Sequence, residues 1–206
     1  MAVALPRLVL VEGLPGSGKT MTAERISTRL RSRGLDAQWV REEATDHPVL
    51  PVPVRGRRRA PDFPDLCLDA WSSFMRRRGD TYWVLDGAAM QSTVRFMFEE
   101  GMRDDDIERY WRWFESIVMP ADPALVYLCS SDPERRLREH TIPERGQQWF
   151  DKVSRHIAST PVGRRFRHRD VDAFVAFWIR YGTLCDRLVS VSRMRVQTMR
   201  DVLLPQ

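Results

Sequence analysis

Leu8-Val9-Leu10-Val11-Glu12-Gly13-Leu14-Pro15-Gly16-Ser17-Gly18-Lys19-Thr20 decides the reading of this 206-residue chain. An apolar run delivers a complete G-x-x-x-x-G-K-[ST] loop formed by Gly13, Leu14, Pro15, Gly16, Ser17, Gly18, Lys19 and Thr20, and helical patterning begins where the loop ends. Glycine permits backbone conformations that side chains forbid, so a loop of this kind turns its N–H groups inward around a chain of phosphates. In that arrangement Lys19 neutralises the β- and γ-phosphates and the Thr20 hydroxyl takes a place on Mg²⁺. The helix N-terminus adds about half a positive charge aimed at the same anion. Composition supports the assignment: of 33 basic residues only Lys19 and Lys152 are lysine, and one of the two sits in this loop. A compact ammonium suits a phosphate cradle. ATP and Mg²⁺ are therefore the expected cofactors.

The apolar content of 43% and the charged content of 30% describe one globular domain over residues 1–206. The net charge of +5 comes from scattered arginines, which fits anionic small molecules better than nucleic acid. Cys67, Cys129 and Cys185 lack paired spacing and read as buried free thiols in a reducing compartment. His47, His140, His156 and His168 lack metal-ligand spacing. Met1-Ala2-Val3-Ala4-Leu5 has no basic leader pattern and no apolar stretch reaches membrane-spanning length, so a cytoplasmic protein without a membrane partner is expected.

Apolar runs predict buried strands at Leu8 to Val11, Ala37 to Val40, Tyr82 to Leu85 and Ala124 to Cys129, with a weaker one at Met194 to Met199. Helical spacing recurs between them, including Ile107, Tyr110, Trp111, Phe114 and Val118, whose aromatics suit core packing or packing against a second subunit in a homodimer. Asp104 or Asp105 is the expected N-cap of that helix. Residues 51–61 hold three prolines and Arg55-Gly56-Arg57-Arg58-Arg59 and read as an exposed, mobile loop. This alternation predicts a three-layer α/β/α P-loop NTPase fold with a parallel sheet. Ligands then gather beyond the carboxyl ends of the strands, along a rim shared by the glycine-rich loop, Glu42-Glu43, Asp86 and Ser130-Ser131.

Phosphoryl transfer needs a cradle, a metal, a group that orients or deprotonates the acceptor, and positive charge around the moving phosphoryl. Asp86, ending a strand, is the candidate for Mg²⁺ or for the acceptor hydroxyl. Of Glu42 and Glu43 only one is expected to face the pocket, and Glu43 is assigned as the acceptor base with Glu42 as the outsider. Arg138 and Arg145, helped by Arg135, are placed on an arginine-bearing lid over approximately residues 135–149 that closes on the nucleotide.

Val11-Glu12-Gly13 through Thr20, a following helix and Val40-Arg41-Glu42-Glu43 resemble the opening of thymidylate kinases and deoxynucleoside kinases. The resemblance implies an acidic segment ending the second strand, an acid-arginine pair ending the third, and an arginine lid after the fourth. Gly87 replaces that arginine, and Thr45-Asp46-His47-Pro48 replaces the usual Glu-Pro pattern. The implied function is an ATP- and Mg²⁺-dependent kinase acting on a small molecule: a nucleoside, a nucleotide, or another hydroxylated metabolite such as an antibiotic. Two other readings compete, a nucleotide-driven ATPase or switch binding a macromolecule, and a polynucleotide end kinase using Arg55 to Arg59 as a clamp.

Overall fold

β1 (Leu8–Gly13) is buried along its whole length. Its alternation splits two cores, Leu8 and Leu10 entering one and Val9 and Val11 the other. A strand covered on both faces is apolar throughout, which is why this run shows no polar alternation. The computed structural model describes residues 5–166 and 170–202; expectations concerning Met1 to Ala4 and His168 lie outside the described residues.

From β1 the chain passes through the glycine-rich loop into α1 (Lys19–Arg31), β2 (Ala37–Val40), α2 (Val52–Gly56), α3 (Phe63–Arg77) and β3 (Tyr82–Asp86). A π-helical stretch, Met90–Val94, leads into α4 (Arg95–Glu99), followed by α5 (Asp104–Val118) and β4 (Ala124–Cys129). Then come α6 (Pro133–Arg135), a second π-helical stretch (Arg136–Thr141), α7 (Ile142–Arg145), α8 (Gln147–Ser159), α9 (Val171–Ser190) and β5 (Arg195–Arg200). The sheet is five-stranded and all parallel, in the order β2-β3-β1-β4-β5. The architecture is thus α/β, with helices flanking a parallel sheet.

The two faces are covered unequally. α1 lays Ala23 and Leu30 over Val9, Val11, Val84 and Val126 on one side. On the other, α3, α5 and α9 build an aromatic core in which Trp71 meets Phe114 edge-on at 4.8 Å and Trp111 lies 5.0 Å from Phe114. Ile107, Tyr110, Trp111, Phe114 and Val118 are all buried there, as their spacing predicts. Each such side chain contributes about 1.5–3 kcal/mol through burial, so Trp71→Ala would cost roughly 3–5 kcal/mol.

Two local expectations are corrected. α5 starts at Asp104 with Arg103 in the cap position, so Asp104 and Asp105 occupy its first turn, where they favour the helix dipole without capping. Residues 51–61 are largely exposed, as expected, but are not loop throughout, because α2 occupies Val52–Gly56. Pro53 near the start of α2 fixes helical geometry, and Arg55 fastens the segment by donating to the carbonyls of Ala44 and Leu50.

Parallel register sets the functional rim. Val11 pairs with Asp86, Gly13 with Leu128, and Val40 with Leu85, so the carboxyl ends of β1, β2, β3 and β4 finish together.

Candidate functional site

Gly16 adopts φ +76° in the loop, and a side chain there would collide with Thr141, whose Cβ and Cγ2 lie 2.9 Å from the position a Cβ would take. The segment carrying Thr141 thus sits directly on the loop. Lys19 is 8% exposed, and its Nζ donates to the carbonyls of Gly13 at 2.9 Å and Leu14 at 3.2 Å. Thr20 Oγ1 donates to Asp86 Oδ2 at 2.7 Å, joining the start of α1 to the end of β3. Asp86 Oδ1 is buried with no partner among the described residues. Burial raises the Asp86 carboxyl above its ordinary range, against the opposing pull of Thr20, Lys19 and Arg41.

Gly87, at φ +62°, is another position that a side chain would crowd. A Cβ there would lie 2.8 Å from Glu42 Oε2 and 3.3 Å from Gln91 Cβ. Glu42 therefore folds into the space that Gly87 leaves, next to Asp86. Desolvation raises its pKa, while Lys19 and Arg95 pull it back down. Glu43 is exposed and lines an open cleft of about 680 Å³ together with Trp39, Arg41 and Asp46. The expected order is reversed: Glu42 is the inward acid. β2 ends at Val40, so strand alternation does not govern residues 42 and 43; the vacancy at Gly87 does.

Glu12 is a feature the sequence reading passed over. It is fully buried, and its two oxygens accept the backbone N–H groups of Ala89 at 2.6 Å and Gln91 at 3.2 Å. Those donors open the helical segment after Asp86-Gly87, so Glu12 ties the loop's own strand to the far wall of the site. Desolvation pushes its carboxyl up to about 7 despite these hydrogen bonds and Lys19. An acid immediately before the first loop glycine, on an otherwise apolar strand, was the available signal. On the same wall Arg95 pairs with Glu99, whose other oxygen meets His156 Nε2 at 2.9 Å.

In the segment over approximately residues 135–149, Arg136 and not Arg138 or Arg145 touches the loop. Arg136 donates to the Gly16 carbonyl at 2.8 Å through one terminal nitrogen. Arg138 instead binds Glu134 at 2.9 Å and Asp172 at 2.6 Å, facing α9. Arg145 lies over the Trp149 ring at 5.9 Å and is exposed, and Arg135 reaches only Asp132 at 3.9 Å. The π-helical stretch inserts a residue into the turn and rotates the arginines relative to 3.6-residue spacing. A cavity of about 110 Å³ adjoins the loop, between Leu14, Ser17, Arg136, Leu137, Gly182 and Val202.

The basic run is dispersed. Arg55 is tied to carbonyls, Arg57 pairs with Asp62, Arg58 lies 4.9 Å over Phe96, and Arg59 reaches Ser159 and Glu100. His47 is 1% exposed and anchors the segment after Glu42-Glu43, its Nδ1 accepting from Val49 N at 3.3 Å. Desolvation lowers its pKa to about 4.

Mg²⁺ keeps several waters and takes only one or two protein oxygens in phosphate sites. The Thr20 hydroxyl and the Asp86 carboxylate, with its one unpartnered buried oxygen, fit that demand. Among the described residues no group of three or more His, Cys, Asp and Glu side chains could hold a metal by itself. No helix among them is long and apolar enough to cross a membrane. The chain matches no protein-family model, and a search of curated proteins finds no match to it.

Proposed function

We propose that this chain is an ATP- and Mg²⁺-dependent phosphotransferase of the P-loop NTPase fold, a kinase that phosphorylates a hydroxyl of a small molecule. The observation that carries the reading is the Thr20–Asp86 hydrogen bond of 2.7 Å beneath a complete phosphate-binding loop. It brings the two expected metal-holding residues together from elements 66 residues apart. Glu42 beside them adds a carboxylate with raised basicity.

In this reading Lys19 exchanges its carbonyl partners at Gly13 and Leu14 for phosphate oxygens. Thr20 and Asp86 hold the metal, which supplies charge neutralisation when bound. Glu42 accepts the proton of the acceptor hydroxyl, the role expected of Glu43. A base works best when its pKa approaches the working pH, and desolvation moves Glu42 in that direction. Lys19 and Arg95 oppose its protonation. Arg136 and Thr141 keep the lid seated on the loop, which excludes water from the donor. The dispersal of Arg55 to Arg59 argues for a small acceptor over a polynucleotide end. Free cysteines at 67, 129 and 185 fit a cytoplasmic location.

Calorimetric titration with Mg-ATP tests the reading. The unsubstituted chain should bind it, Lys19→Ala should lose at least tenfold in affinity, and Thr20→Ala should lose the dependence on Mg²⁺. Equal binding by all three, with and without metal, would overturn it.

A further inference from the structure

Two buried oxygens without a donor among the described residues, Asp86 Oδ1 and the Gln91 amide oxygen, meet the partly exposed Glu42 carboxylate around Gly87. Asp86 is 2% exposed and Gln91 is 7% exposed, yet Asp86 Oδ1 and the Gln91 amide oxygen have no partner among the described residues. Glu42 makes no hydrogen bond either, although its Oε2 lies where a Cβ on Gly87 would touch it, and Gln91 packs against the same spot. A buried acceptor left unpaired costs about 1–3 kcal/mol, so the two buried oxygens beside Glu42 form a surface that a ligand's donors complete.

The neighbouring cations are engaged elsewhere. Lys19 holds the loop carbonyls, Arg95 is bound to Glu99 and to the Gln91 carbonyl, and Arg41 lies over the Trp39 ring at 5.7 Å. Gly87 has no side chain to counter a negative ligand. A phosphate ester at this place would face the oxygens of Glu42 and Asp86. An ammonium group offers three donors and a positive charge, and hydroxyls offer the remaining donors.

We propose that Glu42 and Gln91, beside the metal-holding Asp86, form an acceptor subsite that reads hydrogen-bond donors, so that the acceptor is an amine-bearing polyol and not a phosphate ester. The proposal rests on the kinase reading and deepens it. Glu42 has two oxygens: one takes the proton of the reacting hydroxyl, and the other joins Gln91 in holding the amine. The reacting oxygen forms its bond to the γ-phosphorus of ATP as the bond to the β–γ bridging oxygen breaks; ADP leaves, and the hydroxyl proton goes to Glu42. Gln91 touches the acceptor away from the reacting atoms and therefore sets specificity, not rate.

The test measures transfer from radiolabelled Mg-ATP to matched acceptors: glucosamine and 2-deoxystreptamine, their amine-free counterparts glucose and myo-inositol, and the monophosphates glucose 6-phosphate and AMP. The subsite predicts kcat/KM at least tenfold higher for the amines than for their amine-free counterparts, and no use of the monophosphates. Gln91→Leu should raise the amine KM about tenfold with kcat within twofold, and Gln91→Glu, which keeps an acceptor oxygen, should restore the preference. Phosphorylation of a monophosphate, or equal use of amine-free acceptors, would overturn the subsite and leave the kinase standing. Mg-ATP binding with no member of the set phosphorylated would also overturn the amine assignment. Absence of both binding and transfer would remove the kinase reading itself.

Discussion

Replacing Glu12 by Gln should change how stability depends on pH, by an amount that follows from its burial. The carboxyl titrates at about 7 in the folded chain against an ordinary 4.5. Between those values the folded chain binds more protons than the unfolded one, so stability falls as pH rises through that window. At about 1.4 kcal/mol for each tenfold change, the full loss is roughly 3 kcal/mol. Glu12 is 0% exposed, so solvent screening does not reduce the figure. Gln keeps one acceptor for Ala89 or Gln91 and turns an amide N–H₂ toward the other donor, a cost of about 1–3 kcal/mol that does not vary with pH. Urea unfolding of both chains at pH 4.5, 5.5, 6.5 and 7.5 separates the two effects. The variant should be the weaker chain at pH 4.5 and gain on the unsubstituted one by about 3 kcal/mol toward pH 7.5. A difference that stays constant across this range would refute the desolvated carboxyl beneath the loop.

His47 should act with the opposite sign: its pKa is lowered to about 4, so its contribution is present above pH 6.5 and lost as pH falls toward 4. His47→Gln should flatten that acid loss in the same unfolding series; parallel curves would contradict it. Glu42→Gln should lower phosphorylation of a working acceptor about a hundredfold, whereas Glu43→Gln, at an exposed position, should stay within threefold; the reverse ranking in steady-state assays would restore Glu43 as the base. Gly87→Ala should cost about 1–2 kcal/mol for its left-handed backbone and raise acceptor KM by displacing Glu42. An unchanged KM would show that Glu42 does not depend on the Gly87 vacancy. Arg136→Ala should weaken Mg-ATP binding and Arg138→Ala should not, and calorimetry showing the opposite would return the lid to the arginine that spacing favours.

Much of this was legible before any coordinates, for physical reasons that can be named. Strands buried on both faces appear as short apolar runs, so β1, β3 and β4 were readable, and the edge strand β2 was legible from Trp39-Val40 after the break at Gly34. β5 is exposed along nearly all of its length and reads Arg195-Val196-Gln197-Thr198-Met199-Arg200, which leaves little pattern. Loop, Lys19, Thr20 and Asp86 could be placed because strand ends in a parallel sheet share a rim. The choice between Glu42 and Glu43 could not, because it depends on the vacancy at Gly87, a residue 45 positions from Glu42 in sequence and in contact only through the fold. Of the arginines expected over the loop, Arg138 turns to Glu134 and Asp172 while Arg136 reaches the Gly16 carbonyl, and the sequence carries no signal for the π-helical stretch that holds both. Gln91 and Glu12 carry no motif, and their roles arise only where β1 and the segment after β3 close on each other.

The fate of the γ-phosphoryl group tests the central claim most directly. The chain is incubated with Mg-ATP labelled at the γ-phosphate and a mixture of hydroxylated acceptors, and the label is followed by chromatography. The proposed kinase predicts label on an acceptor in equal amount to the ADP formed, with Lys19→Ala and Asp86→Asn each removing most of it. Label appearing only as inorganic phosphate, at a rate indifferent to the acceptors, would contradict a phosphotransferase and identify an ATPase in its place.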